Sequence, residues 1–148
     1  ISLAWVALDV VEAYGVTFAD MYCPNPCSYG GKTGSSAMLR KFGDWAQANK
    51  DLSDFDYGMV YTADDYFGSG GLSWVGGVCN DVYKYGWIGE TSMSRGYQLV
   101  FAHELGHNFG MQHDNKDGED YYCGSAGIMR TPTVNDEGFT VCSLQYLR

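Results

Sequence analysis

All three histidines of the chain fall within one eleven-residue window, and that window constrains the fold more than any other feature. It reads His103-Glu104-Leu105-Gly106-His107-Asn108-Phe109-Gly110-Met111-Gln112-His113. His103 and His107 are four residues apart, so on a helix both imidazoles project from one face about a turn apart. Two ligands of one zinc ion, each at about 2.0–2.1 Å, need that separation. A continuous helix would carry His113 away from the shared face. Gly110 can take a left-handed conformation, end the helix and turn the third imidazole back. Three neutral imidazoles fill three tetrahedral positions and leave a fourth for water, the arrangement of a catalytic rather than a structural zinc. Glu104 adjoins the first ligand but points off the ligand row. It can therefore face the open position, take a proton from a water there and pass it to a leaving amine. This chemistry hydrolyses a peptide bond with no covalent enzyme intermediate.

The rest of the chain reads as one domain around that helix. Its 148 residues suit one core, with 45% hydrophobic and 18% charged residues. No run of about 18 apolar residues spans a membrane. The net charge of -9 argues against a nucleic-acid partner, which needs a basic footprint. Ile1 to Val11 reads as a strand, and Cys23 through Gly34 as a proline- and glycine-bearing loop. Ser35 or Ser36 can cap a helix to about Asn49, with Met38, Phe42, Trp45 and Ala46 on one face. Strands are expected over Tyr57–Thr62, Leu72–Cys79 and Tyr85–Glu90. Glycines at 76 and 77 mark close approach by another backbone, such as a ligand strand added to a sheet edge. A helix from about Ser94 to Phe109 carries the histidines, loop fills Asp114 to Val141, and a short helical tail starts at Ser143. These elements give an α/β or α+β domain, with no repeats and no linker.

At the histidine window the sequence resembles the metzincin proteases, whose zinc signature is His-Glu-x-x-His-x-x-Gly-x-x-His. Asp114 directly after His113 is similar to the reprolysin/adamalysin branch, which holds snake-venom metalloproteinases and ADAM proteases. Phe42-Gly43-Asp44-Trp45, Tyr61 to Phe67 and Gly71 to Cys79 resemble further segments of that family. The resemblance covers roughly Ile1 to Arg148 and is densest from Ser35 to Met129. It implies a zincin-like fold: a twisted mixed sheet, an active-site helix, and an irregular C-terminal subdomain carrying the family's methionine turn at Met129. It also implies Zn2+ held by His103, His107 and His113, with Glu104 as general base and then acid, and Met129 as support beneath the ligands. An extended protein or peptide substrate would lie along Leu72, Ser73, Trp74, Val75 and Gly76 as an added strand. Arg130 to Asp136 would wall the pocket after the cut bond.

Three departures from the family pattern are visible. A strand and long helix that normally precede the segment at Ile1 are missing from these residues, and the C-terminal helix stops early at Leu147-Arg148. Gly127 stands where the family often has cysteine. Ile1 is not an initiator methionine, so the chain reads as processed or as a piece of a longer protein, with any propeptide or accessory domains outside it.

Five cysteines, an odd number, point to an oxidising compartment and so to a secreted or extracellular protein. Spacing alone leaves their connectivity open. Cys23 and Cys27 can close a small loop, or one of them can take Cys79, and Cys79 with Cys142 is a further pairing. The family resemblance adds Cys123 with Cys142, and a partner for Cys79 beyond Arg148. The acidic pairs Asp64-Asp65 and Glu119-Asp120 lack the alternating ladder of a calcium loop and read as solvated surface. Two other classes compete with an endopeptidase: a catalytically silent protein-binding domain, and a metal-dependent amidase of non-peptide substrates. Intact Glu104 speaks against the first, and the glycine-bearing edge strand against the second.

Overall fold

Two adjacent glycines dictate the first turn. Strands β1 (Ser28–Tyr29) and β2 (Lys32–Thr33) pair antiparallel through Gly30 and Gly31, at φ of 56° and 75°. A two-residue hairpin turn with positive φ at both positions suits glycine and matches the twist of its strands. The computed structural model describes residue 23 and residues 27–49, 55–62, 70–89, 96–114, 127–131 and 138–147. The strand expected over Ile1–Val11 lies outside the described residues, as does most of the loop from Asp114 to Val141.

Helix α1 spans Ser35–Asn49, so the capping position falls on Gly34 and not on Ser35 or Ser36. Ser35 is already helical, and the carbonyl of Gly34 takes the first amides, those of Ala37 (3.0 Å) and Met38 (3.1 Å). Met38, Phe42 and Ala46 are buried as their spacing predicts, and Trp45 packs partly buried beside them. They cover one face of a mixed three-stranded sheet made of β3 (Gly58–Thr62), β4 (Gly71–Ser73) and β5 (Tyr85–Gly89). Its strand order is β3-β5-β4, with β3 parallel and β4 antiparallel to the central β5.

Every residue of β5 is buried, because the strand is covered on both faces. Tyr85 and Trp87 point toward α1: the Tyr85 ring meets Phe42 edge-on at 5.5 Å, and Trp87 Nε1 donates to the Ser35 carbonyl at 3.2 Å. Burying side chains of this kind contributes about 1.5–3 kcal/mol each. Gly86, between them, faces the other way. The space its side chain would fill holds the Tyr57 phenol, whose ring meets Phe101 of helix α2 (Tyr97–Asn108) at 6.4 Å. The sheet is therefore sandwiched between α1 and α2. Helix α3 (Val141–Gln145) closes the described chain, two residues earlier than its predicted start. No helix among the described residues is long and apolar enough to cross a membrane.

The edge strand is shorter than its sequence suggests. Leu72 and Ser73 lie in β4, whereas Trp74, Val75 and Gly76 lie beyond it, with Gly76 at φ 71°. The chain leaves the sheet because the end of α2 captures it. Gly76 N donates to the His107 carbonyl (2.9 Å) and Val78 N to the Asn108 carbonyl (3.0 Å). Asn108 Nδ2 donates in turn to the carbonyls of Trp74 (3.2 Å) and Tyr83 (2.9 Å). The close backbone approach expected at the paired glycines thus comes from this chain itself. A Cβ on Gly77 would run into the Tyr83 carbonyl and lie 2.7 Å from Asn108 Nδ2. Gly77→Ala is expected to cost about 1–3 kcal/mol, the range for overpacking a filled site. Urea unfolding measures it, and an unchanged midpoint would show that the loop yields freely.

The cysteines resolve the alternatives left open above. Cys23 and Cys27 form a disulfide with each other, and Cys142 is also disulfide-bonded. Cys123 lies outside the described residues. Cys79 is an exposed free thiol, with Sγ 3.5 Å from Asp56 Oδ1. The pairings of Cys79 with Cys142, Cys23 or Cys27 are therefore incorrect: each of those three sulfurs is already bonded, and Cys79 sits in an outward-facing turn.

Candidate metal centre

Helix α2 ends in a glycine-dependent turn that builds the site. Gly110, at φ 97°, donates to the His107 carbonyl (2.8 Å), and Met111 donates to the Gly106 carbonyl (2.9 Å). This nested pair is the Schellman arrangement, which a left-handed residue after the helix permits. It reverses the chain so that His113 meets the helix face it has just left. His113 Nε2 lies 3.1 Å from His103 Nε2 and 3.0 Å from His107 Nε2.

Backbone carbonyls set the tautomers. His103 Nδ1 lies 2.7 Å from the Ile128 carbonyl oxygen, and His107 Nδ1 lies 2.8 Å from that of Met111. A carbonyl oxygen only accepts, so each Nδ1 carries the hydrogen and each Nε2 turns a lone pair toward His113. Metal-binding histidines are commonly oriented by such outer hydrogen bonds. Burial, reinforced by the neighbouring imidazoles, pushes His103 down to about 3 and His107 down to about 4. Both rings are thus held in the neutral form that binds a metal.

This donor set fits a tetrahedral cation. Nitrogens at about 2.0–2.1 Å from zinc stand about 3.3 Å apart along a tetrahedron edge, close to the spacings found. Three imidazoles within 4.8 Å form the only group of this kind among the described residues. Glu104, next to the first histidine, is 4% exposed, and its Oε2 is buried with no hydrogen-bond partner among the described residues. Burial pushes its carboxyl up to about 8. A divalent cation at the adjacent histidines acts in the opposite direction and favours the carboxylate.

Met129 is fully buried below the helix, and a Cβ on Gly106 would run into its sulfur. The glycine between the two helical histidines leaves the space that the Met129 sulfur occupies. Gly127, the departure noted above, has its own steric reason. It sits at φ 102°, and a Cβ there would lie 2.5 Å from Thr140 Cγ2 and 2.9 Å from Asp114 Oδ2. Asp114 itself is buried and accepts from the hydroxyls of Thr140 (2.7 Å) and Ser143 (2.9 Å). It ties the turn after His113 to the start of α3.

The structure thus gathers His103, Glu104, His107, His113 and Met129, with strand β4 beside α2 and Leu72 of that strand packed on the core under α1. Beyond Arg130 and Thr131, the expected pocket wall up to Asp136 lies outside the described residues. Sequence reasoning missed Asn108, which fastens the edge segment to the metal helix. A buried amide directly after a ligand histidine was its only signal. The Ile128 carbonyl was missed as well, and a backbone atom leaves no signal.

A reprolysin-type model of metallo-peptidase family M12 matches residues 7–143. The chain belongs to metallo-peptidase family M12. Members are zinc-dependent, so the cation that suits the histidine triad is zinc. Among M12 relatives, snake venom metalloproteinase Ac1 of Deinagkistrodon acutus is 37% identical over 114 residues, covering 71% of this chain and 54% of the relative. A zinc metalloproteinase/disintegrin of Bitis gabonica is 30% identical over 124 residues, covering 79% and 37%. The chain therefore spans about half or less of the length of these relatives.

Proposed function

We propose that residues 1–148 form a single zinc-dependent endopeptidase domain that cleaves extended protein substrates outside the cell. The observation that carries this reading is Glu104, a buried carboxyl group next to His103 on the helix whose two histidines converge with His113 at their Nε2 atoms. His103, His107 and His113 would hold the metal, and Met129 would support them from below. When bound, zinc supplies Lewis acidity at the scissile carbonyl and lowers the pKa of the attacking water. Glu104 takes the proton from that water and delivers it to the leaving amine, a task that calls for one group acting first as base and then as acid. The edge of β4 at Leu72 and Ser73, the side away from β5, offers backbone groups to an extended peptide. Secretion is supported by the Cys23–Cys27 disulfide and by the venom origin stated in the name of one relative.

Metal analysis combined with cleavage of a denatured protein tests the reading. One zinc per chain is expected, with cleavage lost on chelation and restored by added zinc. Cleavage that survives complete zinc removal would refute it. Zinc binding without any cleavage would favour a silent binding domain instead.

A further inference from the structure

Glu104 is buried, and its Oε2 has no hydrogen-bond partner among the described residues. The wall that confines it is the first residue of β4. A Cβ built on Gly71 would lie 2.7 Å from Glu104 Oε1 and 2.9 Å from its Cγ. The same Cβ would lie 2.9 Å from the Trp87 carbonyl oxygen. Trp87 belongs to the wholly buried central strand, paired to β4 on one side and β3 on the other, so that oxygen has no room to retreat. The glutamate side chain is the part that can move.

Backbone conformation does not explain the glycine. Gly71 is absent from the positive-φ positions, so its dihedrals are open to any residue. At such a position Gly→Ala ordinarily stabilises a protein by restricting the unfolded chain. Here the contacts with Glu104 and Trp87 reverse that sign. The requirement is for empty space, and the atoms that use the space belong to the proposed general base.

We propose that Gly71 is a positioning residue: its missing side chain is the seat of the Glu104 carboxylate, and any Cβ there displaces the base from its working position. This inference rests on Glu104 acting as the general base. Small displacements of a reacting group carry large rate penalties, up to about 100-fold for about 1 Å.

The test is a double-mutant cycle of Gly71→Ala and Glu104→Ala, read in two ways. With zinc loaded, Gly71→Ala is expected to keep one metal per chain and a KM within about twofold of the parent, while kcat falls by about 10- to 100-fold. In the metal-free protein, Gly71→Ala is expected to lower the thermal midpoint. At least about half of that drop should vanish in the Glu104→Ala background, because the coupling between touching residues is what such a cycle isolates. Parent-like kcat in Gly71→Ala overturns the proposal. So does an equal midpoint drop in both backgrounds, which would leave only the Trp87 contact. If Glu104→Ala alone cleaves as well as the parent, the general-base reading fails, and the role of Gly71 falls with it.

Discussion

Glu104→Gln is expected to lower kcat/KM on a denatured protein substrate by about 10²- to 10⁴-fold, the range for removing a positioned general base. The amide keeps the size and shape of the carboxylate, so the seat against Gly71 stays filled and the helix stays packed. It cannot take up the proton of the attacking water. Zinc content should remain at one per chain, because the three imidazoles and their carbonyl partners at Ile128 and Met111 are untouched. Metal analysis beside steady-state cleavage separates chemistry from binding. A variant that loses zinc along with activity would place Glu104 among the ligands or their supports. One that cleaves like the parent would remove it from the mechanism.

His107→Ala is expected to act on the metal itself. His107 supplies one of three converging nitrogens and is also anchored to the Met111 carbonyl, which the Gly110 turn brings to it. Its loss removes a ligand and opens a gap between α2 and His113. Loss of an outer hydrogen-bond partner alone costs about 10- to 100-fold in metal affinity, so loss of the ligand should cost more than about 100-fold. Competition with a chromophoric chelator measures this. Retention of parent-like zinc affinity would show that His103 and His113 hold the metal with some other donor, and the assignment of the triad would be wrong.

Both predictions rest on residues that were legible before any coordinates. The 3.6-residue period places His103 and His107 together, and the glycine at 110 announces the break that returns His113. The helix over Ser35–Asn49 was equally legible, because Met38, Phe42 and Ala46 recur at helical spacing on a single buried face. The strand expected over Tyr85–Glu90 stands at Tyr85–Gly89. Each of these signals lies within about three helical turns of chain, where local periodicity carries the information.

The edge strand was misjudged for the converse reason. A strand is expected from Leu72 to Cys79, with Gly76 and Gly77 as points of close approach by another backbone, but the captors of that segment are the His107 and Asn108 carbonyls and the Asn108 side chain. These lie about 30 residues later in the chain, and no local pattern records them. The connectivity of the cysteines was open for the same reason, since spacing does not say which sulfurs meet.

The sequence by itself determined the ligand set: three imidazoles and a glycine at spacings that a helix and one sharp turn bring together. Only the tertiary structure decided where that set is held. The Ile128 carbonyl fixes His103, Met129 lies under Gly106, Asp114 binds Thr140 and Ser143, and Gly71 leaves room for Glu104. Ligand spacing is a property of helix geometry and is written locally. Orientation and confinement depend on atoms brought together by folding, and those partners become visible only once the chain has closed around the site.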